Sequence, residues 1–460
     1  MLPTAQVTVD LDLIKKYNVP GPRYTSYPPA VHFDSRLAPE IPGQIQANNR
    51  SARDLSLYFH LPFCKSLCWY CGCNNVVTRQ KGQSAVYLAY LEKEIDLLTR
   101  ELHPGRQVVQ LHWGGGTPTF LTPDEIRWLG DLTRRRFAFS EDVEASVEID
   151  PRRFTGEHIQ ALRDAGFNRV SMGVQDHNPE VQQAINRVQP RAQTEEVFHA
   201  LRRAGFASLS IDLIYGLPRQ TVDSFSETLD QVLALKPDRL AIFSYAHVPW
   251  IKPAQKLLEK AGLPSAETKF QLLKLSVEKL TENDYVCIGM DHFARADNDL
   301  AIAQTNGTLQ RNFQGYSTRA GADVYGIGNS SVSQTEGAYW QNEKKLEDYY
   351  RVLDEGRLPI WTGYVLSLDD RIRRQTIMRL MCDFRLDYDA MSSKLGVDFR
   401  TYFSKELASL GEFEYDGLIE FSADGLRVTG PGRLLVRVVA MRFDRFLTAV
   451  PVANMYSKTV

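Results

Sequence analysis

Four of the six cysteines of this 460-residue chain lie within ten consecutive positions. They are Cys64, Cys68, Cys71 and Cys73. Disulfides among cysteines so close together would have poor geometry, and they do not persist in a reducing compartment. A structural zinc site usually combines two separate cysteine pairs, and no second pair with that spacing follows. Three thiolates spaced Cys-x3-Cys-x2-Cys suit three irons of a [4Fe–4S] cluster, whose fourth iron then accepts a small ligand.

A glycine-rich turn is the second chemical feature, because Gly114-Gly115-Gly116-Thr117-Pro118 directly follows an apolar run at 108–113. Glycines have no Cβ, so a ligand can approach the backbone N–H and C=O groups closely. These groups can pair with a zwitterionic amino acid. Such a turn alone is weak evidence, and it gains weight from the cysteines nearby.

Strands and helices must position these residues. The predicted strands are 55–63, 108–113, 145–149, 169–173, 209–215 and 239–245, and the helices between them are 85–102, 123–136, 157–165, 194–204 and 221–235. This alternation predicts an α/β fold with a parallel sheet. Six units favour a (β/α) barrel, incomplete or full, over a doubly wound sheet. In either architecture, residues that follow the strands face the site.

Polar residues stand at several of those strand ends, namely Glu148, Gln175, Asp212 and, after the last strand, Ala246-His247. Any one of them is more often a turn or cap residue. Together, at corresponding ends of neighbouring strands, they predict one ligand site.

Three domains are expected: an N-terminal cap segment at 1–50, a catalytic barrel at 51–365 and a helical, winged-helix-like C-terminal domain at 366–460. The last region has two or three helices, a hairpin around Ala423-Asp424-Gly425 and a final helix. Winged helices often bind DNA, but this one is not markedly basic. A lid or packing module is therefore the favoured interpretation.

The charges nearly balance, with 54 Lys and Arg against 56 Asp and Glu. No global field attracts nucleic acid or an anionic membrane. We find neither a long apolar span nor a signal or transit pattern, and we expect a cytoplasmic protein.

The cysteine motif after the first strand resembles that of the radical S-adenosylmethionine (SAM) superfamily. The resemblance implies that SAM binds the open iron and is cleaved by one electron to a 5′-deoxyadenosyl radical. The glycine-rich turn then resembles the site for the methionine amine, and Glu148 and Asp212 suit a cofactor ammonium or ribose. Arg187 suits the methionyl carboxylate, which a guanidinium can bind bidentately.

Longer segments are more specific. They are PGPRYTSYP at 20–28, YFHLPFC at 58–64, CGC at 71–73, HWGGGTPT at 112–119, FNRVSMGVQD at 167–176, IDLIYGLP at 211–218, GMDHFAR at 289–295 and RNFQGY at 311–316. They resemble the oxygen-independent coproporphyrinogen III oxidases, essentially from end to end. That family converts two propionates of coproporphyrinogen III to vinyl groups, giving protoporphyrinogen IX and two carbon dioxides.

The resemblance also implies a [4Fe–4S] cluster, two SAM molecules and a set of site residues. The cluster ligands are Cys64, Cys68 and Cys71; the first SAM site has Tyr58, Gly115, Glu148 and Val332; the second has Tyr70, Gly116, Thr117, Gln175, Arg187, Asp212 and Ala246; and Tyr58, Glu148, Phe313 and Gln314 serve catalysis. Tyr70 and Val332 depart from the phenylalanine and isoleucine of the family, and both changes are mild.

Two residues outside this set carry hypotheses. Only Gly72 separates Cys73 from Cys71, and ligation of one cluster through both would strain the chain, so we expect Cys73 to be a non-ligand. Arg23 is a candidate for binding substrate carboxylates, in a segment that caps the barrel mouth or, alternatively, packs on the core.

Two other functions compete with the oxidase. A haem chaperone of the same subfamily shares the cysteine motif, but its members lack Cys-Gly-Cys and the leader at 20–28. A redox-sensing DNA-binding regulator is disfavoured by the near-neutral charge. For the oxidase we expect coproporphyrinogen III, an unidentified electron donor and acceptor, no nucleic acid or membrane partner, and a monomer.

Overall fold

The computed structural model describes residues 7–80, 82–448, 456 and 458. Residues 1–6 of the predicted cap and residues 449–455, 457, 459 and 460 of the predicted C-terminal domain lie outside the described residues. The described chain forms two compact units. The first contains residues within Met1–His32, Ser265–Ala320 and Ser367–Val460, and the second contains Phe33–Pro264 and Gly321–Leu366.

The strands of the described chain, in order, are β1 Leu55–Leu61, β2 Phe63–Cys64, β3 Val76–Val77, β4 Gln107–Gly115, β5 Ala138–Ile149, β6 Arg169–Gln175, β7 Ser208–Tyr215, β8 Arg239–Ser244, β9 Tyr285–Gly289, β10 His292–Arg295, β11 Gln310–Asn312, β12 Gly315–Ser317, β13 Asp323–Ile327, β14 Val332–Gln334, β15 Ala338–Asn342, β16 Ile360–Val365, β17 Arg385–Asp387, β18 Ile419–Phe421 and β19 Gly425–Val428.

The α-helices are α1 Leu11–Tyr17, α2 Ile41–Asn48, α3 Gln83–Glu101, α4 Pro123–Arg136, α5 Gly156–Asp164, α6 Pro179–Ala184, α7 Arg191–Arg203, α8 Val222–Ala234, α9 Lys256–Ala261, α10 Ala266–Glu282, α11 Asp299–Thr305, α12 Leu346–Asp354, α13 Leu368–Asp383, α14 Tyr388–Leu395, α15 Phe399–Tyr402, α16 Ser404–Ala408, α17 Gly411–Tyr415 and α18 Val436–Met441. Within the described part of the chain, none of them combines the length and the apolar character needed to cross a bilayer.

The second unit is built on one sheet, in the order β16-β15-β14-β13-β1-β4-β5-β6-β7-β8. Neighbours from β13 through β1 to β8 are parallel, and β14, β15 and β16 continue antiparallel. Helices α3, α4, α5, α7 and α8 connect the parallel strands from β1 to β7 and on toward β8. The predicted α/β fold with a mostly parallel sheet is therefore confirmed, and the count of barrel units stays a prediction.

All six predicted strands are present, with ends that differ by a few residues. The largest difference is in β5, which begins at Ala138 rather than at 145. Its first half is exposed or partly exposed and includes Ser, Glu and Asp, and it pairs with the start of β4 ahead of a register shift between Val108 and Gln110. A solvent-facing extension of this kind lacks the apolar run that predicts a buried strand.

Local sequence signals explain where the helices begin. Thr122 precedes α4, its hydroxyl accepts the backbone N–H of Glu125, and the Glu125 carboxylate accepts the backbone N–H of Thr122 in return. This capping box satisfies amide groups that a helix start leaves unpaired. Helix α4 therefore has the bounds that the sequence predicts.

The first unit has a core of its own. Residues from α1 and the segment after it, Ile14, Tyr17, Tyr24 and Tyr27, are buried in one cluster with side chains of α13 to α18. The sheet β17-β19-β18 is antiparallel and contains the predicted hairpin. This packing resembles the alternative in which the N-terminal segment packs on the core, and the cap stays a prediction.

Candidate active site

A cavity of about 610 Å³ lies in the second unit, at the ends of the parallel strands. Residues at or just after the carboxyl ends of β1, β4, β5 and β6 line it, as expected at that edge of such a sheet, and Asp212 reaches it from within β7. The predicted site residues that line it are Cys64, Cys68, Tyr70, Cys71, Gly115, Gly116, Thr117, Glu148, Gln175, Arg187 and Asp212. Residues from five of the predicted strands, or from the turns that follow them, therefore meet at one cavity.

The cysteines lie on a loop closed at its base by short parallel strands. Phe63 and Cys64 in β2 pair with Val76 and Val77 in β3. The backbone N–H of Val76 donates to the Pro62 carbonyl at 2.8 Å. A further backbone bond of 3.1 Å, from the Cys71 N–H to the Cys68 carbonyl, folds the loop into a turn. The backbone thus directs all three motif cysteines toward the cavity.

Two arginines donate to the sulfur of Cys68. Its Sγ lies 3.6 Å from Nη2 of Arg152 and 3.7 Å from Nη1 of Arg187. Asp150 links the two guanidinium groups, with its Oδ2 2.5 Å from Arg152 and 3.3 Å from Arg187. Burial opposes ionisation of Asp150, but these arginines hold the pKa of its carboxyl below the ordinary value. The Cys68 sulfur therefore lies against two guanidinium groups.

Arg152 and Asp150 were not among the predicted site residues. They belong to the turn Asp150-Pro151-Arg152 that directly follows β5. Their place at a strand end was the available signal, but Asp-Pro is also typical of an ordinary turn.

The other two motif thiols have different environments. Burial raises the pKa of Cys64 to about 11, although Thr117 Oγ1, 3.5 Å from its sulfur, opposes the shift. A hydrogen bond from Cys73 lowers the pKa of Cys71 below that of free cysteine, and Asn75 Nδ2 also donates to its sulfur at 3.3 Å. Cys73 acts here as a donor to Cys71. That role is compatible with the prediction that it is not a ligand.

Two positions of the glycine-rich turn, Gly115 and Gly116, leave no room for a side chain. Gly115 has a φ of +109°, and a Cβ there would lie 2.6 Å from the His60 ring. At Gly116 a Cβ would lie 2.4 Å from the carbonyl oxygen of Pro62. The N–H of Gly116 donates to the Leu61 carbonyl at 2.9 Å, which ties the turn to β1. Close backbone packing thus joins the turn to the cysteine loop.

Two carboxyl groups face the cavity with different protonation tendencies. Burial opposes ionisation of Glu148, but a 3.3 Å contact with His112 Nε2 lowers the pKa of the carboxyl below its ordinary value. Burial, together with the charge of Glu148, raises the pKa of Asp212 to about 7, and the Ser171 hydroxyl lies 2.9 and 3.0 Å from its oxygens. Glu148 is the carboxylate suited to a cationic ligand group.

Three predicted residues of this unit do not line the cavity. Tyr58 stacks on the His112 ring at 5.8 Å, so it contacts the partner of Glu148 rather than the cavity itself. Ala246 is exposed after β8, and Val332 begins β14.

The remaining predicted residues lie in the first unit. Phe313 and Gln314 form the turn between β11 and β12, where the Gln314 N–H donates to Asn312 Oδ1 at 2.8 Å. Arg23 forms an ion pair with Asp291.

The donor set fits a cluster better than a single ion. Among the residues described, no three His, Cys, Asp or Glu side chains form a group that could hold one metal ion. A zinc site needs donors that converge on one centre, whereas ligands to different irons of a cubane stand apart around it. Three cysteines around an open cavity, with arginine donors at one sulfur, match the second requirement.

Comparison with known proteins agrees with this chemistry. The family model of the radical SAM superfamily matches residues 58–232, and that of the HemN C-terminal domain matches residues 366–435. The oxygen-independent coproporphyrinogen III oxidase of Salmonella typhimurium is 46% identical, over 99% of this chain and 99% of its own. This chain belongs to the oxygen-independent coproporphyrinogen III oxidases. The Pseudomonas aeruginosa oxidase is 45% identical, over 96% of each chain.

A solved oxidase has the same fold. The structure described as coproporphyrinogen III oxidase (HemN) from Escherichia coli, a radical SAM enzyme, superposes with a TM-score of 0.91 at 45% identity. It covers 96% of this chain and 100% of its own. The predicted family, the fold class and the need for a [4Fe–4S] cluster and SAM are thereby confirmed. Neither the haem chaperone nor the DNA-binding regulator is favoured.

Proposed function

We propose that this chain converts two propionate side chains of coproporphyrinogen III to vinyl groups and so forms protoporphyrinogen IX. Each propionate loses one hydrogen atom from its β-carbon, one carbon dioxide and one electron. The proposal rests on family membership together with one observation. The cysteine loop, the glycine-rich turn and the ionised Glu148 face a single cavity.

In this proposal Cys64, Cys68 and Cys71 hold the cluster. The bound cluster and SAM together supply a 5′-deoxyadenosyl radical, the hydrogen-abstracting species. The chain itself supplies charge and shape. Arg152 and Arg187 donate to the Cys68 sulfur, and such donors stabilise the more negative, reduced state of a cluster.

The cavity also offers groups for a zwitterionic sulfonium cofactor. The cofactor can approach the backbone groups of Gly115 and Gly116 closely, because these residues have no side chain. Ionised Glu148 can attract its ammonium group, and the Arg187 guanidinium can bind its carboxylate. Gln175 is 9% exposed and holds a φ of +69°, a conformation that costs energy for a residue with a side chain. Strain of this kind is concentrated at functional sites, which supports a role for Gln175.

We assign two SAM sites, as the family resemblance implies. The first has Tyr58, Gly115, Glu148 and Val332, and the second has Tyr70, Gly116, Thr117, Gln175, Arg187, Asp212 and Ala246. Cavity lining supports most of this assignment, and Tyr58, Val332 and Ala246 depend on the resemblance alone. We further propose Phe313 and Gln314 as residues near the reacting propionate, a separate electron donor and acceptor, and a cytoplasmic monomer.

The test is anaerobic turnover by the reconstituted protein with coproporphyrinogen III, SAM and a chemical reductant. We expect protoporphyrinogen and 5′-deoxyadenosine to form together, with one deoxyadenosine for each vinyl group. Cys68→Ser should lose the iron–sulfur absorbance and all turnover, whereas Cys73→Ser should retain the absorbance. Stable haem binding without turnover would instead identify a chaperone, and salt-dependent DNA binding would identify a regulator.

A further inference from the structure

Three arginines and one carboxylate of the first unit interact through their charges. The arginines are Arg23 in the N-terminal segment, Arg311 in β11 and Arg437 in α18, and the carboxylate is Asp291 in the turn between β9 and β10. Arg23 pairs directly with Asp291. The charges of Arg23 and Arg311 act on Asp291, and those of Arg23, Asp291 and Arg311 act on Arg437. We call these four residues the arginine cluster.

The two inner arginines are deeply buried and incompletely paired. Arg311 is 4% exposed and Arg437 is 3% exposed. Arg311 Nε donates to the Arg23 carbonyl at 3.4 Å, and Arg437 Nη2 donates to the Gly21 carbonyl at 2.8 Å. Within the described chain, Arg311 Nη1 and Arg437 Nε are buried without an acceptor. Carbonyl oxygens are neutral, so they satisfy donors without compensating the charge.

The cluster therefore carries more positive than negative charge. Burial, followed by repulsion from Arg23, lowers the pKa of Arg437 to about 9. His292, next to Asp291, is a further titratable group that faces the carboxylate. Buried guanidinium groups without matching carboxylates destabilise a protein, so their presence calls for an anion that is absent from the free chain.

We propose that the arginine cluster binds a carboxylate of the substrate through Arg311 and Arg437, with Arg23 at the entrance. The inference rests on the proposed function, because coproporphyrinogen III carries four propionate carboxylates. A carboxylate would give Arg311 Nη1 and Arg437 Nε the acceptors that they lack. The planar fork of a guanidinium matches such a group bidentately.

Three features fit this ligand. The Arg23 side chain is 38% exposed, so the cluster is open to solvent at that end. The Arg311 guanidinium lies 4.8 Å from the centre of the Tyr316 ring, which leaves its edge for hydrogen bonds. The hairpin that carries Arg311 also carries Phe313 and Gln314.

The test measures ligand binding rather than turnover. Coproporphyrin III is the fluorescent, oxidised form of the substrate with all four carboxylates, and its tetramethyl ester has none free. Each would be titrated against the anaerobic holoenzyme. We expect Arg311→Met and Arg23→Met to weaken coproporphyrin binding about 10- to 100-fold, the effect of losing a hydrogen bond to a charged group. The ester should bind weakly and equally to all variants.

Arg427→Met is the matched control. It removes the same charge from the same unit, but Arg427 is exposed and pairs with Glu420. We expect its affinity for coproporphyrin to equal that of the unmodified protein. Iron content and the thermal midpoint of unfolding report whether each variant folds. If Arg311→Met does not fold, Arg23→Met alone tests the proposal, because Arg23 is partly exposed and its replacement should not disturb the core.

The outcomes separate this inference from the proposed function. Unchanged affinity in folded Arg23→Met and Arg311→Met, or an ester that binds as tightly as the acid, would overturn the arginine cluster while turnover by the unmodified protein still supports the oxidase. Arginine-dependent binding without any vinyl formation would support the arginine cluster and overturn the proposed oxidase function.

Discussion

Replacement of Gly116 by alanine should damage the cysteine loop without touching a cysteine. The added Cβ would lie 2.4 Å from the Pro62 carbonyl oxygen and 2.9 Å from that of Phe63. Ordinary carbon–oxygen contacts begin at roughly 3.4 Å, so the two backbones must separate by about 1 Å. Backbone atoms cannot rotate away as a side chain can.

The segment that must move is fixed on both sides. The Gly116 and Thr117 N–H groups donate to Leu61 and Phe63, both at 2.9 Å, and the Val76 N–H donates to Pro62 at 2.8 Å. Overpacking of this kind costs about 1–3 kcal/mol of unfolding free energy. Because Cys64 follows Phe63 directly, the shift should also displace the first cluster ligand.

The assay combines iron and sulfide content after anaerobic reconstitution with the urea midpoint of unfolding. We expect Gly116→Ala to lower both. Gly156→Ala is the control, because nothing lies within 4 Å of a Cβ placed there. A Gly116→Ala protein with full iron content and an unchanged midpoint would refute the reasoning, since the backbone at Gly116 would then separate from that of Pro62 and Phe63 at no cost.

Three further substitutions test the electrostatics of the second unit. Arg152→Met should lower the reduction potential of the cluster by on the order of 40 mV in an EPR-monitored titration, because Cys68 loses a hydrogen bond of about 1 kcal/mol. Arg106→Met should lower the unfolding free energy by about 3–5 kcal/mol in urea, because Asp323, 2% exposed, loses its buried partner. Burial raises the pKa of Glu94 from 4.5 to about 7, so the native state retains a proton that the unfolded state releases in that window. Stability should therefore fall by up to about 3 kcal/mol as pH rises from 4.5 to 7, and Glu94→Gln should remove this dependence in urea titrations.

Each of these predictions has a clear contrary result. Arg153→Met removes the same charge from the same turn, and an equal fall in potential would show that Arg152 acts only through its charge. Arg36→Met breaks an exposed ion pair with Asp34 and should lower the unfolding free energy by less than about 1 kcal/mol. If Arg36→Met and Arg106→Met lowered it equally, burial of the Arg106–Asp323 pair would not be the cause of the larger effect expected for Arg106→Met. Parallel pH curves for Glu94→Gln and the unmodified protein would show that Glu94 does not titrate in this window.

Much of the fold could be predicted because the strands carry a clear pattern of buried apolar residues. In Ser208–Tyr215 every second residue, from Leu209 to Tyr215, is apolar and buried, and this alternation is visible without a structure. Strand ends were less certain where polar residues continue a strand, as in β5. Helix α7 begins at Arg191, three residues before the prediction, because Pro190 precedes it as the cap.

The site was predictable to the extent that it follows the strands. Glu148 stands next to the last residue of β5 and lines the cavity as predicted, whereas Asp212 lines it from within β7 rather than from the strand end. Arg152 was missed because a residue after Asp-Pro is typical of a turn. The arginine cluster could not be predicted as a whole, since Arg311 and Arg437 are 126 positions apart and only tertiary packing brings their charges together.

The first unit combines segments from near both ends of the chain, and this affects how it folds during synthesis on the ribosome. Lys16 in α1 bonds to Asp416 at 2.6 Å, a partner 400 positions later. At elongation rates of about 5 to 20 residues per second, that partner emerges roughly 20 to 80 s after the helix does. Ile14 and Tyr17 lack the rest of their core cluster during that interval, so this helix can reach its final packing only late in synthesis. The cysteine-bearing unit is complete at Leu366, so it can fold while translation continues.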